Sequence, residues 1–463
     1  MLTIHCSPTN KSEREYICRV LLHEFLGLEY HVVWEPRKEW SIAGENGNEL
    51  QLPDILFQTP EKSWLAPESL PGQPLFTWNT KQANLDCQLI EDEIPVIYGN
   101  SLFPEQHKGN KTLLSLPIDI FGSCFFMLSR YEELVIKERD RHDRFPAVAS
   151  LAHKNSFLDR PIVDEYLEIL WSAIKNLWPG TERKKRMGRI RVTCDVDMPF
   201  DPAVNSLLRL AGSCGGDLLI RRSPDMFYNR LRNALAWQRQ DYRFDPYYTF
   251  NWYMDTCENA GHRASFYFMS GRSSGAFDGK YRLTDKHIQK LLKKISSRGH
   301  EIGMHGSYNS FRSCKTLQEE KQALMMACRK CGLNIFIAGN RQHFLRWDTS
   351  QTPDHLDAAG FSYDTSGSFA DRPGFRYGTA MEFPMWSWQR RSALTLRQIP
   401  LIVMECSVIA RRYLDLGYSE NALNLMTLLR DRSLKFGGDF TLLWHNSHLT
   451  TEQDKEFFNL LIS

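Results

Sequence analysis

Apolar positions recur along the chain with two alternating periods, one helical and one of a strand. Tyr16, Ile17, Val20, Leu21 and Phe25 fall on one helical face, and Ser12 with Glu15 forms a capping box ahead of them. His31 to Trp34 and Ile94 to Tyr98 read as strands. Residues 35–93 are rich in Pro, Gly, Asn and charge and predict loops and short strands. Leu116 to Gly122 and Phe125 to Glu133 predict a buried helix whose polar end, Arg130, Glu132 and Glu133, is expected to form a solvated or salt-bridged face. Ile162, Tyr166, Leu170, Trp171, Ile174 and Leu177 make a further amphipathic helix, which stops at Pro179-Gly180. The polar, basic stretch Thr181 to Arg186 marks a domain boundary. An α/β domain is expected over 1–182 and a second domain over 187–463.

The second part alternates strand and helix. Ile190 to Cys194, Ala264 to Met269, Ile302 to His305, Asn334 to Ala338, Ile399 to Glu405 and Phe440 to His445 are short apolar runs. Between them lie helical patterns: Ile288, Leu291, Leu292 and Ile295; a capping box of Thr316 and Glu319 leading to Leu324, Ala327 and Cys328; and Leu423 to Leu429 after Ser419. Such alternation predicts a mainly parallel sheet or barrel, with chemistry at the C-terminal strand ends. Asp195, Asp197, His305 and His445 all fall at such ends, with Arg341 and His343 just beyond one. Alone, Asp195-Val196-Asp197 is more often a helix cap or a solvated loop than a site. Polar groups converging on one face from several strands are harder to explain that way. As strand residues, Asp195 and Asp197 emerge on one side, because side chains alternate along a strand. Carboxylate with imidazole at strand ends is the material of a catalytic metal site.

An insertion separates the first two strands. Arg209, Arg221, Arg222, Arg230, Arg232, Arg239 and Arg243 are interleaved there with Phe227, Tyr228, Trp237, Tyr242, Phe244, Tyr247 and Tyr248. Helical amphipathicity accounts for most of this; the alternative is an anion-binding, aromatic-lined lid over a phosphate-bearing or sugar substrate.

Composition narrows the class. The 463 residues carry a formal charge of only +2, which argues against a nucleic-acid binder driven by bulk charge. No apolar run approaches a membrane span, and Met1 to Pro8 lacks the basic start and apolar core of a signal peptide. Eleven cysteines without an export signal read as reduced thiols, so a cytoplasmic location is expected. Cys328 and Cys331 form a Cys-x-x-Cys inside a helical pattern with no second pair, and read as small buried residues. His300, at a strand start, reads as structural.

Five motifs in order resemble the polysaccharide deacetylase superfamily (carbohydrate esterase family 4) over the C-terminal 275 or so residues. Asp195-Val196-Asp197 resembles its first motif and Gly299 to Asn309 its second. Asn340-Arg341-Gln342-His343-Phe344 is similar to its Arg-x-Pro-aromatic turn, Gly360 to Ser366 to the segment that follows, and Leu443-Trp444-His445 to its last motif. The N-terminal part, notably Phe121 to Glu133 and Arg160 to Val163, resembles an uncharacterised domain that precedes such deacetylases in bacterial surface-polysaccharide gene sets.

The resemblance implies a distorted (β/α)7-type barrel, with Asp195 as general base, Asp197 and His305 as metal ligands, His445 as general acid, and Arg341 holding Asp195 by a charge-assisted bond. Where the family has a second metal histidine this chain has Asn309, a weaker ligand for zinc. His343 replaces the usual proline and offers an imidazole in its stead, so Asn309 and His343 both stand as candidate ligands. Phe344, Arg376 and Trp444 are expected at the substrate, with Arg372 and Arg376 meeting an acidic sugar and the Phe344 N–H facing the oxyanion. The implied cofactor is a divalent ion, zinc first, with manganese, nickel or cobalt as alternatives. The implied activity is N-deacetylation of an acetamido sugar, on a nucleotide or lipid carrier, in bacterial surface-glycan assembly such as lipopolysaccharide O-antigen. A metal-free glycan-binding or scaffolding protein and a hydrolase of another C–N bond are the alternatives.

Overall fold

The computed structural model describes residues 1–44, 46–100, 106–108, 111–205, 207–219, 224–239 and 241–463. Two sheets organise it. The first has six strands in the order Tyr30–Trp34, Leu2–Cys6, Glu39–Ala43, Glu49–Pro53, Lys111–Ser115, Gln106–Lys108, with parallel and antiparallel neighbours. Helices Ile120–Leu128 and Ile162–Leu177 bury their apolar positions in its core. The expected capping box at Ser12 is displaced: helix Lys11–Cys18 begins after Asn10, whose backbone is left-handed and whose side chain makes no cap bond.

The second sheet has nine strands, ordered Phe383–Ser387, Ser392–Gln398, Tyr363–Asp364, Gly339–Gln342, Glu301–Gly306, Ser265–Met269, Ile190–Val196, Phe440–Leu443, Val403–Met404. All neighbours run parallel except the outer pair Phe383–Ser387 and Ser392–Gln398. Among the described residues the two edge strands do not pair, so the curled sheet remains an open half-barrel, consistent with an α/β barrel-like fold. Two expected strands are shifted. Asn334 to Ala338 is irregular and the strand is Gly339–Gln342; of Ile399 to Glu405 only Val403–Met404 is strand. The helix expected after Thr316 starts at Cys314 instead, capped by Ser313.

Register sets the site. His305 pairs with both Met269 and Arg341, Tyr267 with Asp195, and Leu443 with Thr193, which aligns the C-terminal strand ends on one edge. Below that edge the concave face is filled by Tyr267, Tyr363 and the fully buried Arg341. Gly303 makes room for the Tyr267 ring, whose carbons stand 2.4 Å from where a Cβ would lie.

One contiguous apolar core runs from Leu2 to Ile462 and joins the two sheets. Tyr16 donates to the Pro384 carbonyl at 2.8 Å. Of the two readings of Arg130, Glu132 and Glu133, the salt-bridged one holds and the solvated one does not. They are buried, Arg130 pairs with both glutamates, and Glu133 takes Arg376 bidentately at 2.9 and 2.8 Å. In the insertion, Arg230 pairs with Asp201 and Asp217, Arg243 with Asp241, and Arg232 lies over Phe244. Phe200, Trp237, Tyr242 and Tyr248 pack together there, Trp237 from helix Pro224–Gln238 and the other three from loops. Arg221 and Arg222 lie outside the described residues. No helix among the described residues is long and apolar enough to cross a membrane.

Candidate metal centre

At the aligned strand ends a cavity of about 680 Å³ is lined by Asp195, Asp197, His305, His343, Phe344 and His445, among others. Asp197, His305 and His343 bring one ligand atom each within 4.8 Å of one another. Asp197 Oδ1 lies 3.3 Å from His305 Nε2 and 3.6 Å from His343 Nε2.

The far side of each ring decides what these nitrogens are. His305 Nδ1 is 2.9 Å from the Arg341 carbonyl, which can only accept, so Nδ1 carries the proton and Nε2 is free to present a lone pair. His343 Nδ1 is 3.1 Å from Asp278 Oδ1, which favours the same tautomer. Two imidazole lone pairs then face a buried carboxylate oxygen that makes no hydrogen bond of its own. Such an arrangement calls for a positive charge at its centre. Burial works against the charged form of Asp197, but His343, His305 and His445, when protonated, outweigh it and hold the carboxyl well below the usual range. The donor set, two nitrogens and one carboxylate oxygen, suits zinc and leaves room for further ligands.

Asp278 was not foreseen. It is buried, accepts backbone N–H groups from Ser273, Ser274 and Tyr308, and is held down to about 2: burial opposes ionisation, but the His343 bond and those N–H groups prevail. It sits in a polar loop without periodicity, where nothing in the chain signals it.

Asp195 is buried beside the triad, with Oδ2 3.8 Å from His305 Nε2 and Oδ1 3.8 Å from Arg341 Nη1. The expected charge-assisted bond to Arg341 is therefore an ion pair without a hydrogen bond. Arg341 spends Nη2 on the hydroxyls of Thr193 and Thr365.

Across the cavity His445 Nε2 lies 3.7 Å from Asp197 Oδ2, and its Nδ1 lies 2.5 Å from Glu405 Oε1. Burial disfavours the imidazolium, but Glu405 more than compensates and raises His445 to about 9. Glu405 opens the short helix Glu405–Ile409 directly after the strand Val403–Met404, and its Oε1 also meets His448 Nδ1 at 2.8 Å and Cys406 Sγ at 3.6 Å. With His445 and His448, Glu405 and Cys406 form a second cluster of metal-capable side chains. Glu405 was visible only as a carboxylate closing an apolar run.

Three expected site residues stand elsewhere. Asn309 is outside the triad: its amide donates to the Ser273 carbonyl at 3.0 Å and its oxygen accepts from Arg346 at 2.8 Å. Arg376 is buried against Glu133 and the Ser368 carbonyl, away from the cavity, because a buried guanidinium requires a carboxylate. Trp444 is fully buried against Phe458 in the core. Arg372 donates to the Asp371 carbonyl. His300 is structural as expected, accepting from Ala264 N and meeting Glu258. Phe344 does line the cavity, and both it and Leu345 hold left-handed backbones, φ 60° and 54°. For residues with a Cβ this costs roughly 1–2 kcal/mol each.

Residues 2–179 match the model of a family of unknown function (DUF7033). No curated protein matches the chain. In structure it is similar to a candidate polysaccharide deacetylase from Mycobacterium smegmatis, with a TM-score of 0.37 and 14% identity over 60% of this chain and 84% of that one. It is also similar to Puue allantoinase, with a TM-score of 0.35 and 10% identity over 62% and 85%. At scores this low neither likeness assigns an activity.

Proposed function

We propose that this chain is a metal-dependent N-deacetylase that hydrolyses the acetamido group of an amino sugar on the way to a bacterial surface glycan. The observation that carries this reading is the convergence of Asp197, His305 and His343 beside a second carboxylate, Asp195, with His445 opposite. The five motifs that resemble the deacetylase superfamily support the same chemistry.

A divalent ion held by Asp197, His305 and His343 would supply the electrophilic pull on the amide carbonyl and acidify a water. Asp195 is placed to take that water's proton, and its Oδ1 has no hydrogen-bond partner competing for the role. Arg341 Nη1 stands at ion-pair distance from Asp195 Oδ1. His445, kept cationic by Glu405, is placed to deliver a proton to the leaving amine. Buried Thr193 and Thr365 accept from Arg341 Nη2.

The metal-free binding reading drew on Asn309 in place of a histidine. With His343 beside Asp197, it loses that support. The test is acetate release from free, nucleotide-linked and lipid-linked acetamido sugars by the zinc-loaded full chain. Release that disappears in Asp195→Asn supports the proposal; turnover that persists in that variant overturns the assignment of the base. Release of a different product from another C–N substrate would place the activity elsewhere among hydrolases.

A further inference from the structure

The N-terminal region reaches into the metal centre through one loop. Asp140 to Arg144 closes on itself: Asp140 accepts the backbone N–H groups of His142 and Arg144 at 2.8 and 3.0 Å and grips the Arg144 guanidinium, Nε at 2.8 Å. That grip fixes the direction of the guanidinium. Its Nη1 donates to the Phe344 carbonyl at 2.9 Å, two hundred residues along the chain. The His142 ring packs against Phe344 at 4.7 Å between centroids, its Nδ1 meets the Tyr308 hydroxyl at 3.0 Å, and its carbonyl accepts Arg346 Nε at 2.8 Å. Arg346 then reaches the Tyr308 carbonyl and Asn309 Oδ1, at 2.7 and 2.8 Å.

The contacts close a ring around Phe344 and Leu345, the two consecutive residues with left-handed backbones. A strained conformation of this kind persists only where its surroundings over-determine it. The residue immediately before them is His343, whose Nε2 faces Asp197. Relaxing Phe344 to an ordinary backbone would rotate the chain at that point and carry the imidazole away from Asp197.

We propose that the Asp140–Arg144 loop is a positioning element of the metal centre: Arg144, with His142, holds the Phe344–Leu345 turn so that His343 points at Asp197. On this view the region matched to a family of unknown function is one wall of the active cavity, which Arg144 itself lines. Asn309 acquires a role as part of the clamp. The inference rests on Asp197, His305 and His343 being the metal ligands.

The experiment uses the full-length protein and the metal alone. Zinc affinity is measured by competition with a chromophoric chelator, and the visible spectrum of the cobalt-loaded protein reports ligand geometry. Arg144→Ala and Arg144→Lys are compared with Arg391→Ala, which breaks the contact of the exposed Arg391 with the buried Glu13, between the same two regions and outside the cavity lining. We expect wild type and Arg391→Ala to bind alike, and Arg144→Ala to lose about tenfold or more in zinc affinity with an altered cobalt spectrum. Arg144→Lys keeps the charge but not the fork, and should fall between them. Equal affinity and spectrum for all four proteins would overturn the inference, as would equal losses in Arg144→Ala and Arg391→Ala. A wild-type chain that binds no divalent ion would instead remove the metal reading on which it rests. Should Arg144→Ala fail to fold, His142→Ala carries the same comparison.

Discussion

His343 Nδ1 stands 3.1 Å from Asp278 Oδ1, a carboxylate itself fixed by the backbone N–H groups of Ser273, Ser274 and Tyr308. A carboxylate behind a ligating imidazole sets its tautomer and raises its basicity. Asp278→Asn keeps the shape and loses the charge. Zinc affinity is expected to fall about 10- to 100-fold, read by chelator competition. An unchanged affinity would mean that another group orients His343.

Asp195 and Asp197 are two residues apart yet differ in environment, and conservative substitution separates their roles. Asp197→Asn should lose the divalent ion measured by elemental analysis of purified protein. Asp195→Asn should keep about one ion per chain while turnover drops by at least about 10²-fold, the usual share of a general base. Loss of the ion in both variants would make Asp195 a ligand.

The Glu405–His445 pair predicts a pH dependence. His445 is raised to about 9, above its unfolded value of about 6.5. Its contribution to stability is therefore full below pH about 6.5 and fades as pH rises through about 9. In Glu405→Gln the raising partner is gone and burial pushes the imidazole down. Histidine ring-proton NMR should show His445 titrating at lower pH, with the alkaline limb of activity moving down alongside. A His445 titration unmoved by the substitution would show that Glu405 does not set it.

Arg376 is expected to matter for folding. Removing it leaves Glu133 buried with Arg130 as its remaining guanidinium. Arg376→Ala should destabilise by about 3–5 kcal/mol in denaturant unfolding while metal content is retained in the folded fraction. Burial opposes ionisation of Glu133, but Arg376 and Arg130 prevail and hold it at about 2. Its stabilisation is thus present above its unfolded value of about 4.3 and lost as pH falls toward 2. A variant as stable as wild type but altered in substrate affinity would return Arg376 to the substrate.

Much of the fold can be read from patterning where one face of an element is apolar. Ile288, Leu291, Leu292 and Ile295 are all buried on helix Lys286–Ser297, and Ser419 caps helix Glu420–Lys435 by accepting from Ala422 N. The strand Gly339–Gln342 escaped because its burial is polar. Asn340 bonds to Asp364 and Arg341 donates from Nη2 to Thr193 and Thr365, so no hydrophobic period marks it.

Residue order alone is enough to bring Asp195, Asp197, His305, Arg341 and His445 to one edge. Parallel strands joined by helices must end on the same side, and alternation along a strand fixes which residues share a face. It could not choose between Asn309 and His343, nor find Asp278 and Glu405 behind the imidazoles. Which of the two side chains faces Asp197 turns on where a loop backbone points, and in that loop the Phe344 carbonyl accepts a hydrogen bond from Arg144, two hundred residues away. Contacts at that separation leave no period in the chain; only the packed structure decides them.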